Sequence, residues 1–538
     1  MRSRRLLRGL LVASTLLAWS IPLTADAQSP KRGGTLRVSY SNEIAHLDFH
    51  TAPGYEMMWV AMNVGCGLVN ITPDGKFVGD AAESWQTSAD GLNYTFKLRK
   101  GVLFHDGTPV DAAAVKFSID RLMDPNTKSG MRSFYSSVHS VEVLDPTTVQ
   151  IRLKQPYAFM LHMLAAYRTG LVLYSPTATQ KYSLEDRKQG KAEAVVGCGP
   201  FKLVEWVKGG HLVMDRFDKY FMPGLPYLDR VVIRTIKDPV TEMAAFKAGE
   251  IDFIASFSPE HVDTLKAQVP NAQIMTGKET TPMMATMKVT IPKDGKPDPS
   301  GKNPRVPHPV FGDLRVRKAV GCYGIDRKEI VKIGFKGQAT PWVGMIPPGT
   351  MDSVDLNHLC PYDQAKAKAL LAEAGYGPAK PLTFELMANT EKSVFNVIAT
   401  VIKEQMARIG VTANIRLVDK VTWMNTTLQD ANWDMYVEDL LSLITLDSNA
   451  YLTTTPSTWN TSRHTDAKVD EFYARYAREL DAAKRKAIAK ELAEYMVDKM
   501  YWNVVSGSPF YMVAQPWMKG YTYNAEFEVH YDKVWLDR

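Results

Sequence analysis

The chain has 538 residues, of which 45% are hydrophobic, 10% aromatic and 23% charged, with a formal net charge of +6. This apolar and aromatic content excludes a mainly disordered chain, and the length predicts two to four domains. The 35 glycines and 31 prolines follow no collagen-like period, and no repeat of solenoid length stands out.

The first 27 residues have the three parts of a secretory signal peptide. Four arginines lie within the first eight residues, an apolar stretch covers residues 9–23, and Ala25-Asp26-Ala27 supplies an A-x-A cleavage motif. We predict cleavage after Ala27 and export to the periplasm, with a Sec signal favoured over a twin-arginine signal. Cleavage removes four arginines and one aspartate and so lowers the net charge from +6 to +3. No basic run remaining in the mature chain indicates nucleic-acid binding.

Strand patterns dominate the first third of the mature chain. Residues 35–40, 94–98, 141–143 and 149–153 alternate or are rich in β-branched residues, which predicts strands. One helix interrupts them, with Asp111 as its N-cap. Residues 64–195 are therefore predicted to form a β-rich unit.

Strand–helix–strand patterns follow. One covers a strand at 231–236, a helix capped by Asp238 and a strand at 251–254, and another covers 382–387, 392–408 and 411–417. Such units favour parallel strands covered by helices, and so an α/β fold. Residues 467–500 have helical spacing. The Pro, Gly and Lys residues of 292–309 predict a surface insertion, with a disordered linker as the alternative.

The four cysteines are Cys66, Cys198, Cys322 and Cys360, and none form C-x-x-C. Export permits disulfides, and four cysteines allow three full pairings. Among the pairings we select Cys322–Cys360, which lie in the same half of the chain, and small buried free thiols are an equally good interpretation.

Motifs for catalysis, metals and nucleotides are missing. The chain lacks G-x-S-x-G, H-E-x-x-H, G-x-x-x-x-G-K-[ST] and G-x-G-x-x-G. His46 and His50 have i,i+4 spacing, but Pro53 and Gly54 follow them and no third ligand is near. We predict no metal site, no cofactor and no enzymatic activity.

Aromatic residues in turn contexts are the first candidates for a ligand site. Aromatic rings beside polar groups suit a cleft around a small solute, and packing at the rim of the core is the alternative. The aromatic candidates are Tyr55, Trp59, Trp423, Trp459 and Tyr511.

Polar candidates complete the set. Arg463 could clamp a ligand carboxylate, or form a surface ion pair with Asp466. Glu438 and Asp439 follow a predicted strand and could face a cleft, or cap the next helix. Asn42 and Asn460 are the remaining candidates.

An ordered series of motifs resembles the solute-binding proteins of ABC importers, family 5, the dipeptide-, oligopeptide- and nickel-binding type. The series begins with Gly33-Gly34-Thr35-Leu36-Arg37-Val38 and continues with Ala81-Ala82-Glu83-Ser84-Trp85, Phe104-His105-Asp106-Gly107-Thr108-Pro109, Gly197-Cys198-Gly199-Pro200-Phe201, Phe246-Lys247-Ala248-Gly249-Glu250-Ile251-Asp252 and Ala365-Lys366-Ala367-Lys368-Ala369-Leu370-Leu371. Any one of these runs is weak, and their order along nearly the whole mature chain makes the resemblance specific.

The resemblance implies a fold of the type II periplasmic binding protein kind, with two lobes, a hinge and a β-rich subdomain. Lobe I would hold residues 28–283 plus 505–538, with 64–195 as its β-rich subdomain, and lobe II would hold 284–504. The hinge would lie near Thr281 and Val504. Closure of the lobes would trap a solute, and a monomeric closed form would dock on ABC permease subunits in the inner membrane.

The resemblance leaves the solute open. In the dipeptide-binding branch, the loop after the strand that corresponds to 435–437 carries Gly-Trp and then an Asp that pairs with the peptide amino group. Here the Gly-Trp is absent, and Leu443 or Ile444 takes the Asp position. We therefore expect a small organic solute, peptide or peptide-like. The alternatives are a metal chelate or an opine-like solute and, in a different class, a secreted hydrolase that uses cleft carboxylates.

Overall fold

The computed structural model describes residues 29–51, 55–72, 75–165, 171–276, 281–298, 303–350, 352–439, 454–455, 457, 460, 462–522 and 529–538. The predicted signal peptide lies outside these residues. Within them, no helix combines the length and the apolar character needed to cross a membrane.

A seven-stranded sheet forms the first body of the molecule. In sheet order its strands are Gln273–Thr276 (β12), Tyr511–Ala514 (β20), Phe253–Phe257 (β11), Thr35–Tyr40 (β1), Arg230–Thr235 (β10), His211–Arg216 (β9) and Phe201–Val207 (β8). β1 is parallel to both β10 and β11. The two strands of the predicted strand–helix–strand unit therefore flank β1.

A five-stranded sheet forms the second body. In sheet order its strands are Val411–Val418 (β17), Leu382–Asn389 (β16), Met435–Asp439 (β18), Pro282–Met287 (β13) and Val504–Gly507 (β19). β16 is parallel to β17 and to β18. The carboxyl ends of these three strands consequently lie along one edge of the sheet.

A four-stranded antiparallel sheet forms the β-rich unit. Its strands, in sheet order, are Ala82–Thr87 (β4), Asn93–Leu98 (β5), Thr148–Leu153 (β7) and Val138–Asp145 (β6). Three two-stranded pairs complete the strands: Val69–Ile71 (β2) with Phe77–Gly79 (β3), Thr290–Pro292 (β14) with Arg305–Pro307 (β15), and Met518–Lys519 (β21) with Trp535–Leu536 (β22).

The helices cover the two larger sheets and the β-rich unit. They are Tyr55–Val64 (α1), Ala112–Met123 (α2), Met160–Ala165 (α3), Pro176–Lys181 (α4), Leu184–Lys188 (α5), Pro239–Lys247 (α6), Val262–Gln268 (α7), Leu314–Arg317 (α8), Arg327–Gly334 (α9), Gln364–Glu373 (α10), Ser393–Arg408 (α11), Lys420–Leu428 (α12), Ala467–Arg478 (α13) and Ala482–Lys499 (α14).

Aspartate side chains set the starts of several helices. Asp111 accepts from the Ala114 amide at the start of α2, and Asp238 accepts from the Thr241 amide at the start of α6. Both caps agree with the sequence prediction, because a carboxylate oxygen satisfies an amide that has no partner within the helix. The helical stretch 467–500 is two helices, since Asp481 caps a new helix at Lys484 N.

Two disulfides join the four cysteines, Cys66 to Cys198 and Cys322 to Cys360. The selected pairing is confirmed, and the alternative of buried free thiols is wrong.

The stretch 292–309 is more regular than predicted. Its ends form the antiparallel pair β14–β15, with Ile291 opposite Val306. The turn residues occupy the tip of this hairpin, and its strands carry the Thr290 and Arg305 side chains into a buried polar network described below.

The chain passes between the two large sheets twice. It leaves β12 of the first sheet for β13 of the second, and it leaves β19 of the second sheet for β20 of the first. The predicted lobe borders at 283/284 and 504/505 fall inside β13 and β19. The second change of sheet lies between Gly507 and Tyr511, a few residues after the predicted border.

Candidate functional site

Charged side chains collect where the parallel strands of the second sheet end. Glu438 and Asp439 close β18, Glu391 and Lys392 lie between β16 and α11, and Lys420 begins α12 after β17. We call these five residues the edge cluster. The carboxyl edge of parallel strands is where α/β folds place ligand sites.

Hydrogen bonds fix the two carboxylates that end β18. Asn389 Nδ2 donates to Glu438 Oε2, and Lys420 Nζ donates to Glu438 Oε1 at 2.9 Å. Lys392 Nζ lies 2.5 Å from Asp439 Oδ2. Ser508 Oγ, in the segment between the two sheets, donates to the same oxygen of Asp439 at 3.2 Å.

Glu438 is the most perturbed acid of the edge cluster. Its side chain is 4% exposed. Burial and, second, the negative charge of Asp439 raise the pKa of Glu438 to about 8, although Lys420 and Lys392 oppose the rise. For Lys420, burial lowers the pKa, but the nearby Glu438 and Glu391 carboxylates raise it above its usual value. The site therefore holds one carboxyl group that keeps its proton near neutral pH.

The first sheet presents a polar pair to this edge. Asn42, which follows β1, donates from Nδ2 to Glu56 Oε1 of α1 at 2.9 Å. Burial raises the pKa of Glu56, Asn42 lowers it, the Glu391 charge raises it and the Lys392 charge lowers it. Glu391 and Lys392 are therefore near enough to this pair to act on its charge, and we call the region between the pair and the edge cluster the gap.

Two further hydrogen bonds join the two bodies beside this gap. Tyr511 of β20 donates its hydroxyl to Gln338 Oε1 at 2.9 Å. Ser393, the first residue of α11, donates to Glu260 Oε1 at 3.3 Å. These contacts align the edge of the first sheet with α9 and α11 of the second body.

Several predicted site residues meet at or beside this gap. Glu438 and Asp439 belong to the edge cluster, Asn42 holds Glu56 on the first body, and Tyr511 bridges the two bodies. Trp423 is 3% exposed and packs beside the gap, where Lys420 Nζ lies 4.8 Å from its ring centroid. Its indole ring also meets Tyr436 edge-on at 5.3 Å.

Trp59 lies in the core. It is 1% exposed and packs against Tyr40 at 5.0 Å and Phe510 at 6.2 Å between ring centroids. Its place is therefore that of a packing residue beneath the polar pair of Asn42 and Glu56. The Tyr55 side chain and Trp459 lie outside the described residues.

Arg463 is placed in a buried network away from the edge cluster. Its Nη2 donates to the carbonyl oxygens of Thr427 and Leu428, at 3.0 and 2.8 Å, and its Nε lies 3.7 Å from Asp430. The side chain is 3% exposed. This placement supports neither a carboxylate clamp nor the surface ion pair with Asp466, because the guanidinium is enclosed by its own chain.

Asn460 belongs to the turn that carries Arg463. Its Nδ2 donates to the His464 carbonyl at 2.7 Å, and its Oδ1 accepts from Ser462 Oγ at 3.3 Å. Asn460 thus holds the local backbone, in which Arg463 has a positive φ of 56°.

The sequence prediction missed Glu56, Asn389, Glu391, Lys392 and Lys420. Asn389 and Glu391 lie between a predicted strand and a predicted helix, Lys392 begins that helix, and Lys420 follows the strand predicted at 411–417. A search for polar residues just after each parallel strand would have found these four. Glu56 carried no such signal, because it lies within a mainly apolar helix.

The carboxyl and ammonium groups of the site suit an organic solute. Among the described residues, no group of three or more His, Cys, Asp or Glu side chains is placed to hold a metal ion. The ammonium groups of Lys392 and Lys420 could pair with ligand carboxylates, and the carboxyl groups could accept from ligand N–H groups.

The chain is similar to known proteins over most of its length. Glutathione-binding protein GsiB of Escherichia coli K12 is 29% identical over 509 residues, covering 91% of this chain and 92% of its own. The structure of CtaP of Listeria monocytogenes superimposes with a TM-score of 0.81 at 23% identity, covering 94% of this chain and 100% of that one. AgaA of A. tumefaciens R10, solved with agropinic acid, has a TM-score of 0.77 at 26% identity, covering 94% and 99%.

The fold is that of the type II periplasmic binding proteins. The family described as bacterial extracellular solute-binding proteins, family 5, matches residues 76–462, which is more than half of the chain. The chain therefore belongs to family 5 of the bacterial extracellular solute-binding proteins.

Proposed function

We propose that this protein captures a small peptide or peptide-like solute between its two bodies and delivers it to the permease of an ABC importer. The observation that carries the proposal is the meeting of the two bodies beside the edge cluster, where Ser393 donates to Glu260 and Tyr511 donates to Gln338. A solute held between the bodies contacts both of them at once.

Such a site works by shifting a population. A solute that binds both bodies stabilises only the arrangement in which the bodies are close, so binding favours closure. The two lobes of this movement are residues 28–283 with 505–538 and residues 284–504, and the chain connections between the two sheets form the hinge. No covalent step is part of this function.

The charges of the site favour a solute with both acidic and N–H groups. Lys392 and Lys420 are 48% and 36% exposed, so their ammonium groups remain accessible to a carboxylate. Glutathione, which names the GsiB relatives, carries such groups. Agropinic acid, bound by the similar AgaA, represents the non-peptide alternative.

Native mass spectrometry of the protein purified from its source tests the proposal. A co-purified peptide or peptide derivative, and one solute per chain, are the expected results. Thermal shift titrations with glutathione, a dipeptide panel and agropinic acid then rank the solute classes. Turnover of any of these compounds by the pure protein would favour a hydrolase instead.

Export is tested separately. Cleavage after Ala27 predicts a periplasmic protein that begins at Gln28. N-terminal sequencing of the mature protein checks this, and its native mass distinguishes the proposed monomer from an oligomer.

A further inference from the structure

The β-rich unit is tied to the first body by its two chain connections and by a buried ion pair of Arg121 in α2 with Asp48, at 2.6 Å. The chain enters the unit at Cys66, just after α1, and leaves it at Cys198, just before β8, and a disulfide joins the two cysteines. Beside the disulfide, the Gly199 amide donates to the Val64 carbonyl at 2.9 Å. Because these connections are cross-linked and the Arg121–Asp48 pair attaches α2 to the first body, we expect the unit to move with the first body.

The far side of the unit contacts the second body. The Ala158 amide donates to the carbonyl of Ala477 in α13 at 2.8 Å. The Phe159 ring lies 5.0 Å from the Tyr476 ring, and these side chains are 1% and 0% exposed. Separating the unit from α13 would therefore expose two aromatic rings to water.

The surface that receives Phe159 is held in place by its own contacts. Tyr476 donates its hydroxyl to Asp352 Oδ2 at 2.9 Å, and Arg485 Nε lies 3.5 Å from the same oxygen. The Arg485 guanidinium also lies 5.5 Å from the Phe159 ring centroid. The Phe159 ring therefore packs against an aromatic ring and a guanidinium group that other contacts already hold in place.

A second contact lies beside the first. A Cβ atom on Gly91, in the turn before β5, would lie 2.7 Å from Leu480 Cδ1. Leu480 follows α13 and its side chain is 42% exposed. The turn and the Leu480 side chain are thus in close contact.

We propose that the β-rich unit takes part in the closure of the two bodies. It moves with the first body, docks Phe159 onto α13 and α14 of the second body, and so stabilises the closed state. This inference rests on the proposed function, because it assumes that the two bodies open and close. The contact lies apart from the edge cluster, so it changes solute affinity through the population of the closed state alone.

The test uses the mature chain with glutathione as probe. Phe159→Ala is expected to raise the Kd for glutathione about tenfold and to reduce the compaction seen by small-angle scattering. Leu480→Ser is a milder change at the same contact, with an expected two- to threefold rise. Val143→Ala is the control, because Val143 lies on β6 of the same unit and is 43% exposed. Unchanged affinity and compaction in folded Phe159→Ala and Leu480→Ser proteins would overturn the inference.

Amide exchange at Ala158 separates failure of this inference from failure of the proposed function. If the wild-type protein binds neither glutathione nor other solutes, the proposed function fails. Docking of the unit is still supported if the Ala158 amide is protected from exchange in the wild-type protein and less protected in Leu480→Ser. Exchange of that amide in the wild-type protein at the rate of an exposed amide contradicts docking, whatever the solute.

Discussion

Two groups of charges in the second body differ in what surrounds them. Among the described residues, the edge cluster has three carboxyl groups and two lysines, and these lysines are 48% and 36% exposed. The interior network has three cations, Lys288, Arg305 and Arg463, around Asp430 and Asp298, and its cations are 3–4% exposed.

The interior network has one more cation than it has carboxylates, and the edge cluster has one more carboxyl group than it has lysines. The extra group is stabilised in a different way in each. In the interior network, backbone carbonyls accept from the cations, as Ala431 does from Lys288 at 2.7 Å and Thr290 does from Arg305 at 2.9 Å. In the edge cluster, the surplus carboxyl group keeps its proton, since burial raises the pKa of Glu438 to about 8. The interior network therefore suits a structural role, and the edge cluster leaves charged groups with which a solute can pair.

Asp430→Asn should have the largest effect on stability. Asp430 lies 2.9 Å from Lys288 Nζ and 2.7 Å from Arg305 Nη1, and its loss leaves buried cations unpaired. We expect the free energy of unfolding to fall by about 3–5 kcal/mol, measured by urea denaturation. The control is Asp294→Asn at the exposed hairpin tip, where a change within about 0.5 kcal/mol is expected. Equal losses of unfolding free energy in both variants would mean that the interior network does not stabilise the fold.

Arg463→Ala should lower stability and leave solute binding unchanged. Removal of the guanidinium leaves the Thr427 and Leu428 carbonyls without this donor, at a cost of about 1.5–3 kcal/mol. Arg475→Ala removes a surface pair with Glu491 and serves as the control. A large rise in the Kd for glutathione without a loss of stability would restore Arg463 as a ligand clamp.

Glu438→Gln should reveal the proton held at the edge cluster. The pKa of Glu438 is raised from 4.5 to about 8, so between these values the folded protein retains a proton that the unfolded chain has released. The free energy of unfolding of the wild-type protein should therefore decrease, relative to that of Glu438→Gln, as the pH rises through this range. The decrease is at most about 1.4 kcal/mol per pH unit.

Urea denaturation at pH 6 and pH 7 measures this difference. Glu142→Gln is the control, because the Arg152 hydrogen bond lowers the pKa of the exposed Glu142, which stays ionised at both pH values. A difference between wild type and Glu438→Gln that does not change with pH would show that Glu438 is ionised in the folded protein.

Lys392→Met should have the smallest effect on stability. Lys392 is about half exposed in its pair with Asp439, so the unfolding free energy should change by less than about 1 kcal/mol. Its expected effect is on binding, with a rise of about tenfold in the Kd for glutathione by calorimetry. Lys403→Met, on the exposed face of α11, is the matched control. Unchanged affinity would place the solute carboxylate elsewhere.

Local patterns in the sequence predict much of the fold. Strands 35–40 and 149–153, and the helices capped by Asp111 and Asp238, lie where alternation and capping residues predict them. These features depend on neighbours within a few residues, and so the sequence contains their cause.

The candidate site is predictable only in part. Glu438 and Asp439 end a recognisable strand, and Asn389 and Lys420 lie at the ends of two others, but only the fold shows that Asn389 and Lys420 are the partners of Glu438. Arg463 was misplaced because a lone arginine beside aromatic and amide residues has the same pattern on a surface as in a buried network.

Local sequence patterns account for the α/β fold of this family, its β-rich unit and most of its strands and helices. Tertiary structure alone decided which charges face the gap and which are enclosed, and it brought Phe159 to Tyr476 across 317 residues of chain. The physical reason is that burial and pairing depend on distances between elements far apart in sequence, which local propensities do not encode.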